Sequence, residues 1–127
     1  MKPLDGILVL TLEQAVAAPL CSCRLADAGA RVIKVEPPGG DPMRRIGPFI
    51  YGRPVPAESL HWLHFNTNKR SITLNIASAQ GADLLRRIAA KADILLETFA
   101  PGYLDSLGLG HERLGGPVTP PLPPGWA

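Results

Sequence analysis

The sequence has no apolar run that approaches the roughly 20 residues a membrane-spanning helix requires. Its N-terminus lacks the charged leader and long apolar region of a secretory signal. Basic residues occur as separate pairs, never as a run, and the formal net charge is +2, so the sequence gives no indication of a nucleic-acid partner. We therefore expect a cytoplasmic protein that acts without a membrane or nucleic acid.

Cysteine and closely spaced metal ligands are also scarce. Cys21 and Cys23 are the only two cysteines of the chain, and residues two apart on a helix point away from each other. We expect both to be small buried helix residues, and neither a disulfide nor a metal-binding pair. His61 and His64 could share a helix face, but no third ligand is spaced to join them. The sequence therefore predicts no metal site.

What the sequence does contain, in residues 6–41, is the pattern of a strand, a helix and a second strand. The unbroken apolar run 7–10 is typical of a strand covered on both faces, and 31–35 is a β-branched run. Between them Pro19 can lie at a helix start, and Gly29 can end the helix. The predicted apolar positions of this helix are Leu20, Cys23, Ala26 and Ala28. Such a βαβ unit predicts a right-handed crossover and a ligand crevice at the sheet edge after the first strand.

The turn after the first strand, residues 11–19, contains no glycine. The glycines of a dinucleotide-binding fingerprint let the backbone approach the pyrophosphate closely, so their absence argues against NAD. A P-loop and a Gly-x-Ser-x-Gly nucleophile elbow are missing as well. Glu36 follows the second strand, where a ribose-binding acid would lie. Without the glycines, we interpret Glu36 as a residue that caps or pairs within the fold.

The middle of the chain mixes loop and regular structure. Residues 36–59 are rich in proline and glycine, and a loop of this length is usually functional or partly mobile. A short helix is predicted over 59–65 and a strand over 72–76. In the polar turn between them, Lys69 and Arg70 could meet a phosphate, although two charges on a turn are more often merely solvated.

A further helix and strand are predicted beyond that point. Ser78 has the side chain of an N-cap, and residues 94–96 are predicted to form a buried strand. Residues 99–102 form a predicted turn, and 103–107 a short helix closed by Gly108. The predicted apolar face of the helix after Ser78 consists of Leu84, Leu85, Ile88 and Ala92.

The chain changes character from residue 115 onward. Residues 115–127 hold five of the fourteen prolines, and such a segment continues neither a sheet nor a helix. We expect a disordered tail after a domain that covers residues 1–114. A proline-rich ligand for an SH3-like partner is the alternative interpretation.

Five segments follow one another along the chain: PLDGILVLTLEQAVAAP, LADAGARVIKVEPPGGDPMR, NTNKRSITLNI, KADILLETFAPGYLDSLGLG and HERL. In their order and intervals they resemble the N-terminal part of the class III CoA-transferases, the family of formyl-CoA transferase and carnitine CoA-transferase. The resemblance runs from residue 3 to residue 114. It implies an α/β fold, a Rossmann-like parallel sheet with flanking helices, which is incomplete here because only the N-terminal part of the large domain is present.

The resemblance implies an activity as well as a fold. Members of the family form homodimers and move CoA from a CoA thioester to a carboxylic acid, with CoA as substrate and no permanently bound cofactor. A catalytic aspartate attacks the thioester, which divides one hard step into easier ones. That aspartate lies in a later block of the family, and no aspartate of this chain matches its position. We therefore assign no catalytic residue and expect this chain to be inactive alone.

The resemblance also implies which residues contact CoA. Val16 and Ala17 match a pair that lies along CoA, residues 74–77 match a strand end near its adenosine part, and 98–100 match a turn beside the pantetheine arm. Relatives often have Arg in place of Pro37, Asn in place of Thr98 and Arg in place of Ser106. Losing two cations near a diphosphate should remove charge-assisted contacts, each worth about 1.5–3 kcal/mol. The full implied set is Val16, Ala17, Pro37, Leu74, Asn75, Ile76, Ala77, Thr98, Phe99, Ala100 and Ser106.

Three hypotheses stay open from the sequence. The first is the N-terminal, CoA-binding portion of a class III CoA-transferase, as a truncated or frame-shifted product or one half of a split gene. The second is a non-catalytic module that binds CoA or a partner subunit. The third is a gene remnant without function. The acyl donor and acceptor are not indicated by any of these residues.

Overall fold

The computed structural model of the chain describes residues 1–114. Its strands are β1 (Leu8–Leu12), β2 (Arg31–Glu36), β3 (Arg70–Thr73) and β4 (Ile94–Glu97). Its α-helices are α1 (Ala17–Asp27), α2 (Leu60–Asn66), α3 (Ala79–Ala89), α4 (Tyr103–Ser106) and α5 (His111–Leu114). The strands form one parallel sheet, so the predicted α/β fold with flanking helices is confirmed. The predicted proline-rich tail, residues 115–127, lies outside the described residues.

The order of the strands reverses at β1. The chain runs outward from β1 to β2 and β3 and then returns to place β4 on the other side of β1, which gives the order β3-β2-β1-β4. At the centre, Val9 of β1 pairs with Val32 of β2 and Ile94 of β4. Because all pairs are parallel, the four carboxyl ends share one edge of the sheet. A reversal of strand order at that edge is where open α/β sheets bind ligands.

Apolar residues cover both faces of the sheet. On one face Leu10 of β1 is buried together with Leu85 of α3. On the other face Val9 is buried with Ala26 of α1. Successive residues of β1 therefore both lie in apolar surroundings, which explains why this segment shows no polar alternation in the sequence.

Two predicted helix boundaries are confirmed by their geometry. Gly29, just beyond α1, has φ 109°, and a Cβ at this position would lie only 2.6 Å from the Cβ of Lys2. A glycine is therefore required for both its backbone conformation and its close contact. Ser78 caps α3, since its hydroxyl accepts a hydrogen bond of 3.0 Å from the N–H of Gly81.

The predicted apolar faces of the two long helices are wrong in part. Leu20 of α1 and Leu84 of α3 are 37% and 43% exposed. Cys21 is exposed and Cys23 buried, so the predicted burial holds for only one of the cysteines. Small side chains allow each helix to lie close to the sheet, and they take the buried positions in place of the leucines. The buried residues of the two helices are Ala18, Pro19, Ser22, Cys23, Ala26, Gly81, Ala82, Leu85 and Ala89.

Two predicted strands also need correction. The strand expected over 72–76 is β3, which begins earlier and ends at Thr73. The N–H of Leu74 still donates to the carbonyl of Glu36 at 2.9 Å. Beyond that bond β2 gives way to Pro37 and Pro38, neither of which has an N–H to donate, so residues 75–76 leave the sheet. The strand expected to be buried, β4, pairs with β1 alone among the described strands. It therefore lies at an edge, with Ile94 41% exposed.

The long loop between β2 and α2 is ordered by short turns of 3₁₀ helix. These turns cover Pro42–Arg45, Ile50–Gly52 and Pro56–Glu58. Ser59 fastens the end of the loop, because its hydroxyl donates to the carbonyl of Ile46 at 2.6 Å and also caps α2. Within residues 1–114, the helices are all too short or too polar to cross a membrane.

The neighbouring leucines of α3 provide a test of this packing. Leu85→Ala should lower the free energy of unfolding by about 2–5 kcal/mol, because the side chain is fully buried and its removal leaves a cavity. Leu84→Ala makes the same chemical change at an exposed position and should change it by about 0.5 kcal/mol or less. Urea denaturation followed by circular dichroism measures both. Equal losses would contradict the packing described for α3.

Candidate functional site

A cavity of about 160 Å³ opens at the carboxyl edge of the sheet. Its walls come from residues that end or follow all four strands, and two of its aromatic side chains, Phe99 and Tyr103, pack with ring centroids 4.8 Å apart. Leu12 and Val35 contribute apolar surface from β1 and β2, and Asn75 contributes an amide. The lining therefore combines apolar surface with a few polar groups, as is typical of small-molecule sites.

The residues that the family resemblance implied as CoA contacts divide between this cavity and its surroundings. Val16 and Ala17 are exposed at the start of α1. Thr98 follows β4, and its hydroxyl accepts from the N–H of Gln14. Ala100 lines a neighbouring cavity of about 140 Å³, and Ser106 lines an open groove beside residues 76–79. The members of the set that line the main cavity are Pro37, Leu74, Asn75, Ile76, Ala77 and Phe99.

Several lining residues were not singled out from the sequence. They include Glu13 and Gln14 after β1, Pro38 after β2, and Tyr103 at the start of α4. A simple signal could have found the first three, because residues that directly follow parallel strands meet at one sheet edge. Tyr103 gives no such signal, since it reaches the cavity through its stacking on Phe99.

The described lining of the cavity contains no lysine, arginine or histidine. Its carboxylates are Glu13 and Glu36, and both are buried and paired with cations that lie behind the lining. A diphosphate would therefore find no cation within this lining. An uncharged group, such as an aromatic ring or an amide-bearing chain, matches the surface better.

Glu36 accepts four hydrogen bonds at the edge of the cavity. It accepts from Arg44 through both oxygens, at 2.6 and 2.7 Å, from the N–H of Asp41 at 2.7 Å, and from the hydroxyl of Ser71. Arg44 also lies over the ring of Trp62, 3.5 Å from its centroid, a cation–π contact. Burial alone would raise the pKa of the Glu36 carboxyl, but these hydrogen bonds outweigh it and lower the pKa from 4.5 to about 2. The interpretation of Glu36 as a residue that pairs within the fold is confirmed.

A second group of charges is buried between the sheet and the loops. Lys34 of β2 lies 2.7 Å from a carboxylate oxygen of Asp41 and 3.8 Å from one of Glu13. Lys69 lies 2.7 Å from the same Glu13 oxygen. The four side chains are at most 2% exposed, and both ammonium groups donate to Asn66 at 3.0 Å. Two cations and two anions thus balance each other out of contact with water.

Lys69 corrects a prediction made from the sequence. It was expected either to meet a phosphate or to be solvated, but it lies buried and donates to Glu13 and to the carbonyl of Pro19. Burial lowers the pKa of Lys69, and the hydrogen bond and charge of Glu13 oppose that change. Arg70, its neighbour, is exposed. Lys69 therefore links this turn to the β1–α1 segment, and Arg70 is the solvated cation of the pair.

The loop between β1 and α1 is tied down at successive residues. Glu13 accepts from the hydroxyl of Ser22 through both carboxylate oxygens, at 2.8 and 2.9 Å. The N–H of Gln14 donates to the hydroxyl of Thr98 at 3.0 Å. Ala15 has φ 62°, a left-handed conformation that a residue with a Cβ seldom adopts. Such a conformation persists only where surrounding contacts hold it.

The two histidines of α2 lie against aromatic rings. The ring centroids of His61 and His64 are 5.0 and 4.7 Å from that of Phe65. Across residues 1–114, no three His, Cys, Asp or Glu side chains come together in a way that could hold a metal ion.

Comparison with known proteins adds an independent finding. The family model described as "CoA-transferase family III" matches residues 4–116 of the chain. Succinyl-CoA:glutarate CoA-transferase of Homo sapiens is 42% identical over 115 residues, which cover 90% of this chain and 25% of that protein. Succinyl-CoA–D-citramalate CoA-transferase of Chloroflexus aurantiacus is 46% identical over 115 residues, covering 89% of this chain and 27% of that protein. The chain thus spans about a quarter of the length of these curated relatives.

Solved structures agree with this likeness. The crystal structure of Rv3272 from Mycobacterium tuberculosis superposes with a TM-score of 0.79 at 42% identity, covering 90% of this chain and 30% of that one. A CAIB/BAIF family protein from Brucella suis gives 0.78 at 41% identity, covering 89% and 30%. The similarity in structure therefore extends over the same N-terminal portion as the similarity in sequence.

The pairing of Glu36 makes stability depend on pH in a definite direction. Its folded pKa of about 2 lies below the unfolded value of 4.5, so its stabilisation is complete above pH 4.5 and is lost as the pH falls towards 2. Glu36→Gln should lower the free energy of unfolding at pH 7 by about 3 kcal/mol and flatten its dependence between pH 5 and pH 2. Chemical denaturation at a series of pH values measures both effects. The exposed Glu112→Gln serves as the control, and equal slopes in wild type and Glu36→Gln would contradict the assignment.

Proposed function

The chain belongs to CoA-transferase family III, and from this premise we propose that it supplies the coenzyme A-binding portion of such an enzyme. The cavity at the carboxyl edge of the sheet is the proposed contact with CoA. The observation that carries this proposal is that six residues implied by the family resemblance line that one cavity. They come from three separate segments of the chain, so sequence proximity does not explain their meeting.

The chemistry of the lining indicates which part of CoA enters the cavity. CoA has charged phosphates and two largely uncharged parts, the adenine ring and the pantetheine arm. The described lining has no cation, whereas Leu74, Ile76 and Phe99 offer apolar surface and Asn75 an amide. We infer that an uncharged part of CoA, the adenine ring of the adenosine end beside residues 74–77, enters the cavity and that the phosphates stay outside it.

The proposed reaction is CoA transfer between carboxylic acids. An aspartate oxygen attacks the acyl carbonyl of the CoA thioester, the C–S bond breaks, and the CoA thiolate leaves with the electron pair. The thiolate then attacks the aspartyl carbonyl of the mixed anhydride and releases the first acid. The acceptor carboxylate attacks the aspartyl thioester, which releases the CoA thiolate again and forms a second mixed anhydride. The thiolate then attacks the acceptor's acyl carbonyl, so that the new CoA thioester forms and the aspartate leaves as a free carboxylate. The covalent intermediates divide one transfer with a high barrier into several steps with lower barriers.

We propose that the nucleophile of this reaction is not an aspartate of this chain. None of its six aspartates lines the cavity. Asp41 is buried against Lys34, Asp93 accepts from the N–H of Leu8, and Asp5 accepts from the N–H of Lys2. Each of these three carboxylates accepts a hydrogen bond or pairs with a cation at a place outside the cavity, where it cannot reach a ligand bound there. The nucleophile would then come from sequence that relatives carry beyond the matched portion.

Other features of the family enter as proposals of the same kind. We propose that residues 1–114 form the working unit, that the complete enzyme is a homodimer, and that it acts in the cytoplasm on a CoA thioester and a carboxylic acid. The two relatives described above are named as transferases of CoA from succinyl-CoA, with glutarate and D-citramalate as the other acid in their names. A small dicarboxylic acid is accordingly the first class of acceptor to test.

A second candidate function is a module that binds CoA or a partner subunit without catalysis. The observation that favours it is the state of the two carboxylates at the cavity, since Glu13 and Glu36 are both fully paired. The lining then offers no free nucleophile within the described residues. Where the module binds CoA, the two candidates share the CoA site and differ only in whether the chain contributes to turnover.

Binding of CoA tests the site itself. Isothermal titration calorimetry of the chain with CoA should give a saturable signal, and Ala77→Glu should weaken binding about tenfold, because it places a carboxylate at the cavity beside a negatively charged ligand. Ala90→Glu, at an exposed position after α3, is the matched control and should bind as wild type does. No heat and no thermal shift at millimolar CoA would contradict the proposed site.

Complementation separates catalysis from binding. The chain should show no CoA transfer alone, and mixing it with the remaining portion of a relative should restore transfer from succinyl-CoA to a dicarboxylic acid. The relative's portion with its aspartate replaced by alanine is the control and should remain inactive. Transfer by the chain alone would contradict the proposal that its own aspartates are not nucleophiles. CoA binding without restored transfer would favour the non-catalytic module.

A further inference from the structure

We propose that Glu13 is a positioning residue for the β1–α1 loop, residues 13–16. Through its buried bonds to Ser22 and Lys69 it holds this loop in place as a preformed wall of the cavity. The proposal rests on the function proposed above, since the wall is one side of the proposed CoA site. Glu13 and Gln14 both line the cavity, so a shift of this loop changes the cavity directly.

The position of the loop is not one that the backbone adopts by itself. Ala15 has φ 62°, a left-handed conformation that is unfavourable for a residue with a Cβ. Residues 14–17 are exposed, so no apolar packing over the loop compensates for this cost. The contacts that hold it are therefore polar bonds, and they come from Glu13 and Gln14 at the start of the loop.

Glu13 provides the first anchor. Its side chain is fully buried, and each carboxylate oxygen accepts from the hydroxyl of Ser22 on α1. One oxygen also lies 2.7 Å from the ammonium of Lys69, which comes from the turn before β3. A single carboxylate thus joins the end of β1, the first turns of α1 and the start of β3.

A backbone bond provides the second anchor. The N–H of Gln14 donates to the hydroxyl of Thr98 at 3.0 Å, and the N–H of Thr98 donates to the carbonyl of Leu12 at 3.2 Å. These two bonds join the loop after β1 to the loop after β4. Because Gln14 directly follows Glu13, a rotation of residue 13 would break the bond to Thr98.

Holding the loop in place before the ligand arrives should raise affinity. A ligand that binds only one loop conformation has an apparent Kd equal to the intrinsic Kd divided by the fraction of molecules in that conformation. With the Glu13 anchor, nearly all molecules have the loop in place. If one in ten had it in place after the anchor is lost, the Kd for CoA would rise about tenfold.

Two variants loosen the anchor to different degrees. Ser22→Ala removes the hydroxyl that bridges both oxygens and leaves the charges unchanged, so the Kd for CoA should rise about threefold. Glu13→Gln combined with Lys69→Met removes one anion and one cation together, which keeps the buried charges of Lys34 and Asp41 in balance. This double variant should raise the Kd about tenfold.

The measurements separate positioning from stability. Calorimetry gives the Kd, thermal denaturation gives the Tm, and hydrogen exchange followed by NMR reports on the amide of Gln14. The exchange of Gln14 should accelerate in both variants, while the amides of β1 exchange as in wild type. Ser59→Ala is the control, because it removes another buried hydroxyl that is bonded away from the cavity. It should lower the Tm and leave the Kd unchanged within about twofold.

The outcomes distinguish this inference from the proposed function. Wild-type chain that fails to bind CoA would overturn the proposed function itself. Wild-type binding with an unchanged Kd and unchanged Gln14 exchange in both variants would overturn the positioning role of Glu13. A Kd that rises in step with the loss of Tm in every variant, Ser59→Ala included, would also overturn it. If the double variant does not fold, Ser22→Ala alone decides the question by the same criteria.

Discussion

The burial of an ammonium group beneath the loops of the sheet edge is the constraint on which the rest of the structure depends. Lys34 lies in the middle of β2 and is 1% exposed, so its charge is costly unless anions and acceptors surround it. Asp41 and Glu13 provide the anions from two different loops, and Asn66, the last residue of α2, provides an acceptor. These segments have to converge on Lys34 for the chain to fold, and their convergence determines the structure of this edge of the sheet.

The convergence of the loops explains both the place and the character of the cavity. The same segments that supply charged partners behind the sheet edge present apolar and amide groups in front of it. Because Arg44, Lys34 and Lys69 are all engaged with carboxylates, the cations near the site stabilise the fold and are not available within the lining. The described lining of the cavity therefore offers apolar and amide groups, and no cation, to a ligand.

The sequence predicted those parts of the fold that depend on local chemistry. Gly29 ends α1 because few other residues tolerate its backbone conformation, and Ser78 caps α3 through a hydroxyl three residues away, so both could be read from short patterns. The role of Lys69 could not, since its partner Glu13 is 56 residues distant and only the folded chain brings them together. Leu84 was misread for a related reason, because spacing alone does not say which side of a helical stripe meets the sheet. The arrangement of side chains at the site depends on contacts between distant parts of the chain, and local propensity does not predict it.

The Pro37-Pro38 pair that ends β2 has a consequence for the thermodynamics of binding. Each proline ring restricts its own backbone even in the unfolded chain, so little conformational freedom is lost when this part of the cavity wall becomes ordered. A molecule that settles against it therefore has little motion to suppress there. The entropic cost of recognition should fall mainly on the ligand's own rotatable bonds, which favours rigid ring systems over flexible chains at this wall.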